Sequence, residues 1–290
     1  MTAQGVIPGQ VRVVTRFAPS PTGRLHLGHA LSAIRAHDFA RAAGGTFLLR
    51  IEDIDATRSR ADHIDAILAD LRWLGLAWDG AVLRQSERLS IYADALDRLR
   101  AAALVYPCFC TRAEIAASVA APHGEVAPRY PGTCRGIAAP DLSRPHCWRL
   151  DMARAIAAAG PLDWTDHGVT IAAEVAAQGD VVLARKDAPA SYHLAVTVDD
   201  AEQGVTDIVR GVDLFAATHV HRLLQSLLAL PTPRYHHHPL VTDPDGTRLA
   251  KRTGAPTLES MRLAGQDGAG LAARLRAEFA ISSDHPPASS

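Results

Sequence analysis

Arg16-Phe-Ala-Pro-Ser-Pro-Thr-Gly-Arg-Leu-His-Leu-Gly-His29 stands between a β-branched run beginning at Val11 and an Ala-rich stretch, His29 to Ala43, with helical spacing. A strand, a Pro/Gly turn and a helix start are expected in that order. Free backbone N–H groups and the positive end of the helix dipole make such a start attractive to phosphate. His26 and His29 add donors that can follow charge growing on a phosphoryl group. Taken alone, His26-Leu-Gly-His29 fits a pair of capping or surface histidines equally well.

Working outward, Thr46 to Ile51 (TFLLRI) reads as a second buried strand that ends in acids. Ser59 to Leu74 is helix-like, with Ser59 and Asp62 spaced as a capping box. Alternation of this kind predicts an α/β fold, a parallel sheet with helices on both faces. From Tyr106 to Trp148 prolines, glycines and cysteines replace periodicity, which marks an inserted subdomain in need of a staple. Asp180 to Leu183, Tyr192 to Val198 and Asp207 to Val209 are expected as short strands. Phe215 to Leu230 is expected as a helix closed by Pro231-Thr-Pro233, and a last helix near Leu271 to Phe279 precedes a Pro/Ser tail expected to fray. The resulting division is 1–105 and 179–290 as halves of one catalytic domain, with 106–178 inserted between them.

The 290 residues are 48% hydrophobic, which argues for a globular chain with a full core. A formal net charge of −1 excludes indiscriminate nucleic-acid binding but leaves a local basic groove open. The opening residues lack a basic stretch joined to an apolar one, and no run of about 18 apolar residues occurs, so a cytoplasmic protein without a membrane span is expected. No obligate protein partner is evident.

Four cysteines in such a chain are poor disulfide candidates, and three of them lie close together. Cys108-Phe-Cys110 with Arg129-Tyr130-Pro-Gly-Thr-Cys134 supplies three thiols and a phenol. A C-x-C turn puts both sulfurs on one side, and tetrahedral Zn²⁺ takes three thiolates and a fourth ligand, for which Tyr130, Cys147 and His146 are the candidates. His236 to His238 are not read as a metal site, because three consecutive residues cannot all face one ion.

The string from Arg16 to His29 resembles the "HIGH" signature of class I aminoacyl-tRNA synthetases in its glutamyl and glutaminyl form. The resemblance continues through Leu49-Arg-Ile-Glu-Asp-Ile-Asp55 with Arg58, through Gln85-Ser-Glu-Arg88 and through Val209-Arg-Gly-Val-Asp-Leu214, and spans Val11 to about Thr257. Gly246-Thr-Arg-Leu-Ala-Lys251-Arg252 sits where the family carries its "KMSKS" loop, with Arg248 in place of the first lysine and Ala250 in place of serine. The resemblance implies a Rossmann-like fold and ATP binding with Mg²⁺ through His26, Gly28, His29 and Lys251. His26, His29 and Lys251 would stabilise charge on the phosphates. L-glutamate would be bound by Arg16, Phe17, Ala18, Pro19, Ser20, Glu52, Tyr192 and Arg210. Glu52 would take the ammonium and the arginines with Tyr192 the carboxylates, either arginine serving either carboxylate.

Only 39 residues follow Lys251, fewer than an anticodon-reading domain requires. Short relatives with the Cys-x-Cys…Tyr…Cys insertion form the glutamyl-queuosine branch of the family, in which Tyr130 matches the fourth ligand of one structural zinc. That likeness implies tRNA(Asp) carrying queuosine as acceptor. The other readings are a truncated glutamyl-tRNA synthetase charging a 3′ end, an inactive tRNA-binding paralogue, and a ligase with no RNA acceptor.

Overall fold

The computed structural model describes residues 12–111, 113–115, 130–241 and 256–279. β1 (Val14–Phe17), β2 (Thr46–Ile51) and β3 (Leu83–Arg84) form a parallel sheet in the order β1-β2-β3. β9 (Asp207–Gly211), β10 (Arg234–His238) and β6 (Asp163–Asp166) form a second parallel set, and β7 (Val169–Ala172) is added antiparallel to β6 as a hairpin. The two sets meet at β1 and β9, where Val14 N donates to Thr206 Oγ1 at 2.8 Å and Thr206 N to Val14 O at 2.9 Å. The expected parallel arrangement is present as two hydrogen-bonded pieces joined by one threonine. Their seam, where the chain direction of strand addition reverses, is the position at which open α/β sheets bind ligands.

Helix α1 (Leu27–Ala42) lies over that seam. Ala30, Ala33, Ala36 and Ala40 are fully buried, and their small side chains let the helix approach closely enough for Thr15 Oγ1 to donate to Ala36 O at 2.7 Å. Phe47, Leu49 and Ile51 of β2 and Ile64, Ile67 and Leu71 of α2 (Ala61–Trp73) complete this core, which α7 (Leu258–Leu263) and α8 (Gly268–Glu278) close from the C-terminal end. A separate core holds α3 (Leu89–Ala101), α4 (Met152–Ala159), α5 (Tyr192–Glu202) and α6 (Phe215–Leu227) around Tyr92, Leu150, Leu183 and Leu194. Among the described residues no helix is long and apolar enough to cross a membrane.

Two local expectations are corrected. Tyr192 to Val198 is not a strand but the start of α5. Every residue from Leu194 to Asp200 is buried, so the helix has no polar face to write a 3.6-residue period, and its valines and threonine imitate a strand. Helix α2 begins after Arg60, and no side chain caps it. Asp62 instead accepts from Arg24 Nη2 at 3.0 Å and Arg60 Nε at 3.3 Å, while Ser59 Oγ is buried without a partner among the described residues.

β4 (Val105–Cys108), β5 (Cys147–Leu150) and β8 (Val182–Ala184) form a small antiparallel sheet in which Cys108 faces Cys147. It carries a cluster of four buried residues, Tyr106, Cys108, Tyr130 and Cys134. Asp180 adds polar ties, accepting from Arg135 Nη2 at 2.6 Å, Met152 N at 3.1 Å and the Tyr106 hydroxyl.

Candidate active site and metal centre

A pocket of about 360 Å³ opens at the C-terminal ends of β1, β2 and β9. Its walls bring together Arg16, Phe17, Ala18, Pro19, Ser20, His26, Gly28, His29, Glu52, Tyr192 and Arg210, all singled out from the sequence. Lys251, with the rest of Gly246 to Arg252, lies outside the described residues. The turn after β1 is pinned by Glu52 N donating to Pro19 O at 3.0 Å and by Leu258 N donating to Leu25 O at 2.9 Å.

At the end of the pocket where α1 begins the histidines build a reciprocal cap. His26 Nδ1 accepts from Gly28 N at 3.1 Å, and His29 Nδ1 accepts from His26 N at 3.2 Å. Both Nδ1 atoms act as acceptors of backbone N–H, so in each neutral ring the proton sits on Nε2. The pair is thus both a helix cap and a pair of ring N–H donors at the pocket wall. Gly28 leaves room for the cap: a Cβ there would press on the His26 ring, meeting Cε1 at 3.0 Å.

At the other end the two arginines have different surroundings. Arg16 pairs with Asp200, Nε to Oδ1 at 2.9 Å, and the fully buried Arg50 reaches the same carboxylate at 2.8 Å and Glu52 Oε1 at 3.3 Å. Asp200 is buried, yet Arg16 and Arg50 overcome that burial and hold its carboxyl below the usual range. Burial raises the Glu52 pKa, with Arg50 and Arg16 opposing it, and a bound ammonium would lower it again. Arg210 is held by neutral acceptors: Thr218 Oγ1 at 2.6 Å, Leu214 O at 3.2 Å, His237 Nε2 at 3.2 Å, the Tyr192 hydroxyl at 3.3 Å and His221 Nδ1 at 3.4 Å. Burial, and then the Arg210 charge, keeps His221 well below the ordinary imidazole value. Tyr192 reaches the pocket from the first turn of α5 rather than from a strand end.

Sequence reading missed Ser32, Asp213, His238 and Leu240 on the pocket wall, and Asp199 and Asp200 behind it. Asp199 accepts from Gln85 Nε2, Arg88 Nε and the Tyr92 hydroxyl, and Asp53 from Ser86, so the Gln85–Arg88 block braces α5 and the end of β2. The clue was available: two adjacent acids in an apolar run need buried cations if that run is internal. His236, His237 and His238 do diverge, to Asp207, to Asp166 with Arg210, and to Ser32.

In the insertion the Sγ atoms of Cys108, Cys110 and Cys134 lie within 4.8 Å of one another. Cys110 and Cys134 are 3.6 Å apart, and the Tyr130 hydroxyl is 3.3 Å from Cys108 Sγ and 3.5 Å from Cys110 Sγ. A tetrahedral Zn²⁺ with ordinary bond lengths sets S···S at about 3.8 Å and S···O at about 3.5 Å, so this donor set fits. Tyr130 Oη also accepts from Cys134 N at 2.9 Å, and the Arg149 guanidinium lies 3.9 Å over its ring, while burial and bonds to the three thiols push the phenol's pKa up. Hydrogen bonding from Cys147, opposed by burial and aided by Tyr130 and Arg149, brings the Cys108 thiol down to about 4. Among the described residues Cys147 bonds to Cys108 but lies outside the mutually close triad, as does His146, whose Nδ1 lies 2.8 Å from Arg144 O.

Residues 12–274 match the profile of the family described as tRNA synthetases class I (E and Q), catalytic domain. A glutamyl-Q tRNA(Asp) synthetase of Rhodobacter capsulatus is 50% identical over 273 residues, covering 89% of this chain and 98% of the relative. Its counterpart in Nocardia farcinica is 46% identical over 260 residues, covering 87% of this chain and 79% of the relative. The solved glutamate-tRNA synthetase of Elizabethkingia anophelis superposes with a TM-score of 0.70 at 29% identity, covering 84% of this chain. The chain spans 53% of that protein's length.

Proposed function

The chain belongs to the class I tRNA synthetase family of the glutamyl and glutaminyl type and is a ligase of that class, and from that premise we propose that it activates L-glutamate with ATP and transfers the glutamyl group to the queuosine base of tRNA(Asp). The observation that carries the reading is one pocket joining a helix-start histidine pair to a carboxylate–arginine set of the charges that an amino acid with two carboxylates and one ammonium requires. Support for the acceptor comes from relatives bearing that name along nearly the whole chain.

In the proposed reaction the α-carboxylate oxygen of glutamate attacks the α-phosphorus of ATP in line, the bond to the bridging oxygen breaks, and pyrophosphate leaves. A hydroxyl of the queuosine cyclopentenediol then attacks the adenylate carbonyl and AMP leaves, its proton passing to solvent. No protein nucleophile is required, so this chain supplies position and charge. Mg²⁺ bound with ATP offsets charge on the phosphates. The Nε2–H groups of His26 and His29 would donate to phosphate oxygens, Glu52 would take the ammonium, and Arg16 and Arg210 the carboxylates. Lys251 would meet the departing pyrophosphate. Cys108, Cys110, Tyr130 and Cys134 would hold one zinc ion whose part is structural, tying the insertion to β4. The division at 105 and 178 belongs to the same proposal.

The test is glutamate transfer to purified tRNA(Asp) with and without queuosine, other tRNAs serving as controls. Labelling of the queuosine-bearing tRNA(Asp) alone is expected. Labelling regardless of the modification would instead mean 3′ charging, and glutamate-dependent pyrophosphate exchange without any labelling would leave a glutamate-adenylating enzyme with another acceptor.

A further inference from the structure

β9, β10 and β6 are neighbours in one sheet, and the register sets His237 beside Arg210, with Asp166 facing Tyr235 one strand further on. Arg210 Nε donates to His237 Nε2 at 3.2 Å. A guanidinium has no lone pair to offer, so Nε2 must be the acceptor and the ring proton must sit on Nδ1. Nδ1 is 3.0 Å from Asp166 Oδ1, and the same oxygen accepts the His237 backbone N–H at 3.1 Å. Arg210, His237 and Asp166 are 4%, 7% and 4% exposed, so water does not replace these contacts.

We propose that His237 and Asp166 are positioning residues for substrate recognition, a relay that fixes the Arg210 guanidinium so that it addresses the glutamate carboxylate. The inference rests on the functional reading above and extends it to two residues outside the pocket wall. Asp166 sets the tautomer, the tautomer presents a lone pair, and the lone pair fixes the guanidinium plane about Nε. The Asp166 charge reaches Arg210 through the imidazole rather than by direct contact. With the other tautomer two N–H groups would confront each other, and Arg210 would have to turn away from Tyr192 and the pocket. Misplacement of a binding group by about 1 Å costs up to roughly a hundredfold in activity.

Asp166→Asn keeps the shape of the side chain, but its amide can donate to Nδ1 and so stabilise the wrong tautomer. His237→Gln keeps a carbonyl for Arg210 and an N–H group for Asp166. Glutamate-dependent ATP–pyrophosphate exchange, with KM measured for each substrate, and the ¹⁵N resonances of the His237 ring test the relay together. In the parent protein the Nδ1–H tautomer is expected. Asp166→Asn should raise the glutamate KM by about tenfold or more, as for loss of a charge-assisted contact, and leave the ATP KM within about twofold. His237→Gln should restore most of the glutamate affinity. An Nε2–H ring in the parent protein, or an unchanged glutamate KM in Asp166→Asn, overturns the relay while leaving the functional reading standing. If Asp166→Asn does not fold, an unaltered tautomer in the parent with good affinity in His237→Gln upholds the relay, and poor affinity there overturns it. Absence of exchange in the parent protein overturns the functional reading and this inference with it.

Discussion

Arg210 shows how much a single residue type can specify. Its N–H groups reach acceptors on β10, α5, α6 and the turn before α6, which is possible because a guanidinium spreads five donors over a plane. A lysine would bring the same charge at one point and could meet only some of these acceptors. Arg210→Lys should therefore lower kcat/KM for glutamate in pyrophosphate exchange by about a hundredfold, as for a misplaced binding group, with a smaller fall in thermal midpoint from the buried acceptors left unmet. Unchanged activity would remove Arg210 from glutamate binding. Position and type of this arginine are legible in Val209-Arg-Gly-Val-Asp-Leu214. The imidazoles that hold it are not, because they arrive from His221 and His237 on other elements.

Elements differ in how openly they declare themselves. β1 and β2 are readable as short apolar runs that end in turn residues, and α1 as an Ala-rich stretch whose buried positions alternate with half-buried ones. α5 is misread for the opposite reason: it is buried without a break from Leu194 to Asp200, and the acids it carries are satisfied by Arg16, Arg50 and Arg88 from distant segments. The segment between β4 and β5 declares a staple through its cysteines and its poverty of core. Cys108→Ser should lose stoichiometric zinc by elemental analysis, since two thiolates and a phenol make a much weaker tetrahedral site, and the antiparallel sheet should lose order first. Retention of one zinc per chain in that variant would sink the metal assignment. Glutamate-dependent exchange should fall less than zinc content does, because the pocket is built on the parallel strands.

For the molecule as a whole, buried imidazoles couple folding to pH. Burial brings His193 and His238 down to about 4, with the Arg210 charge adding at His193 and a bond to the Pro239 carbonyl opposing at His238. In the unfolded chain these rings protonate near the ordinary value of about 6.5, so between about 6.5 and 4 the unfolded state holds more protons than the folded one. Stability should thus be full above pH 6.5 and fall as pH drops toward 4. The loss is on the order of 3 kcal/mol for His238, which is 2% exposed, and is readable as a falling urea midpoint. A midpoint that stays flat across that window would mean that these rings protonate in the folded protein over the same pH range as in the unfolded chain. The sequence by itself determined the alternation of strand and helix, the strand-turn-helix at Arg16 to His29, the thiol set and the residues that meet in the pocket, because short-range period, turn chemistry and ordered motif blocks are written locally. Only the tertiary structure decided that the sheet is split at Thr206, that α5 is a helix, and that Asp200 serves Arg16 and Arg50 while Asp166 serves Arg210 through His237. Those contacts join residues up to 192 positions apart, and a partner chosen by burial at such a distance leaves no periodic trace in the chain.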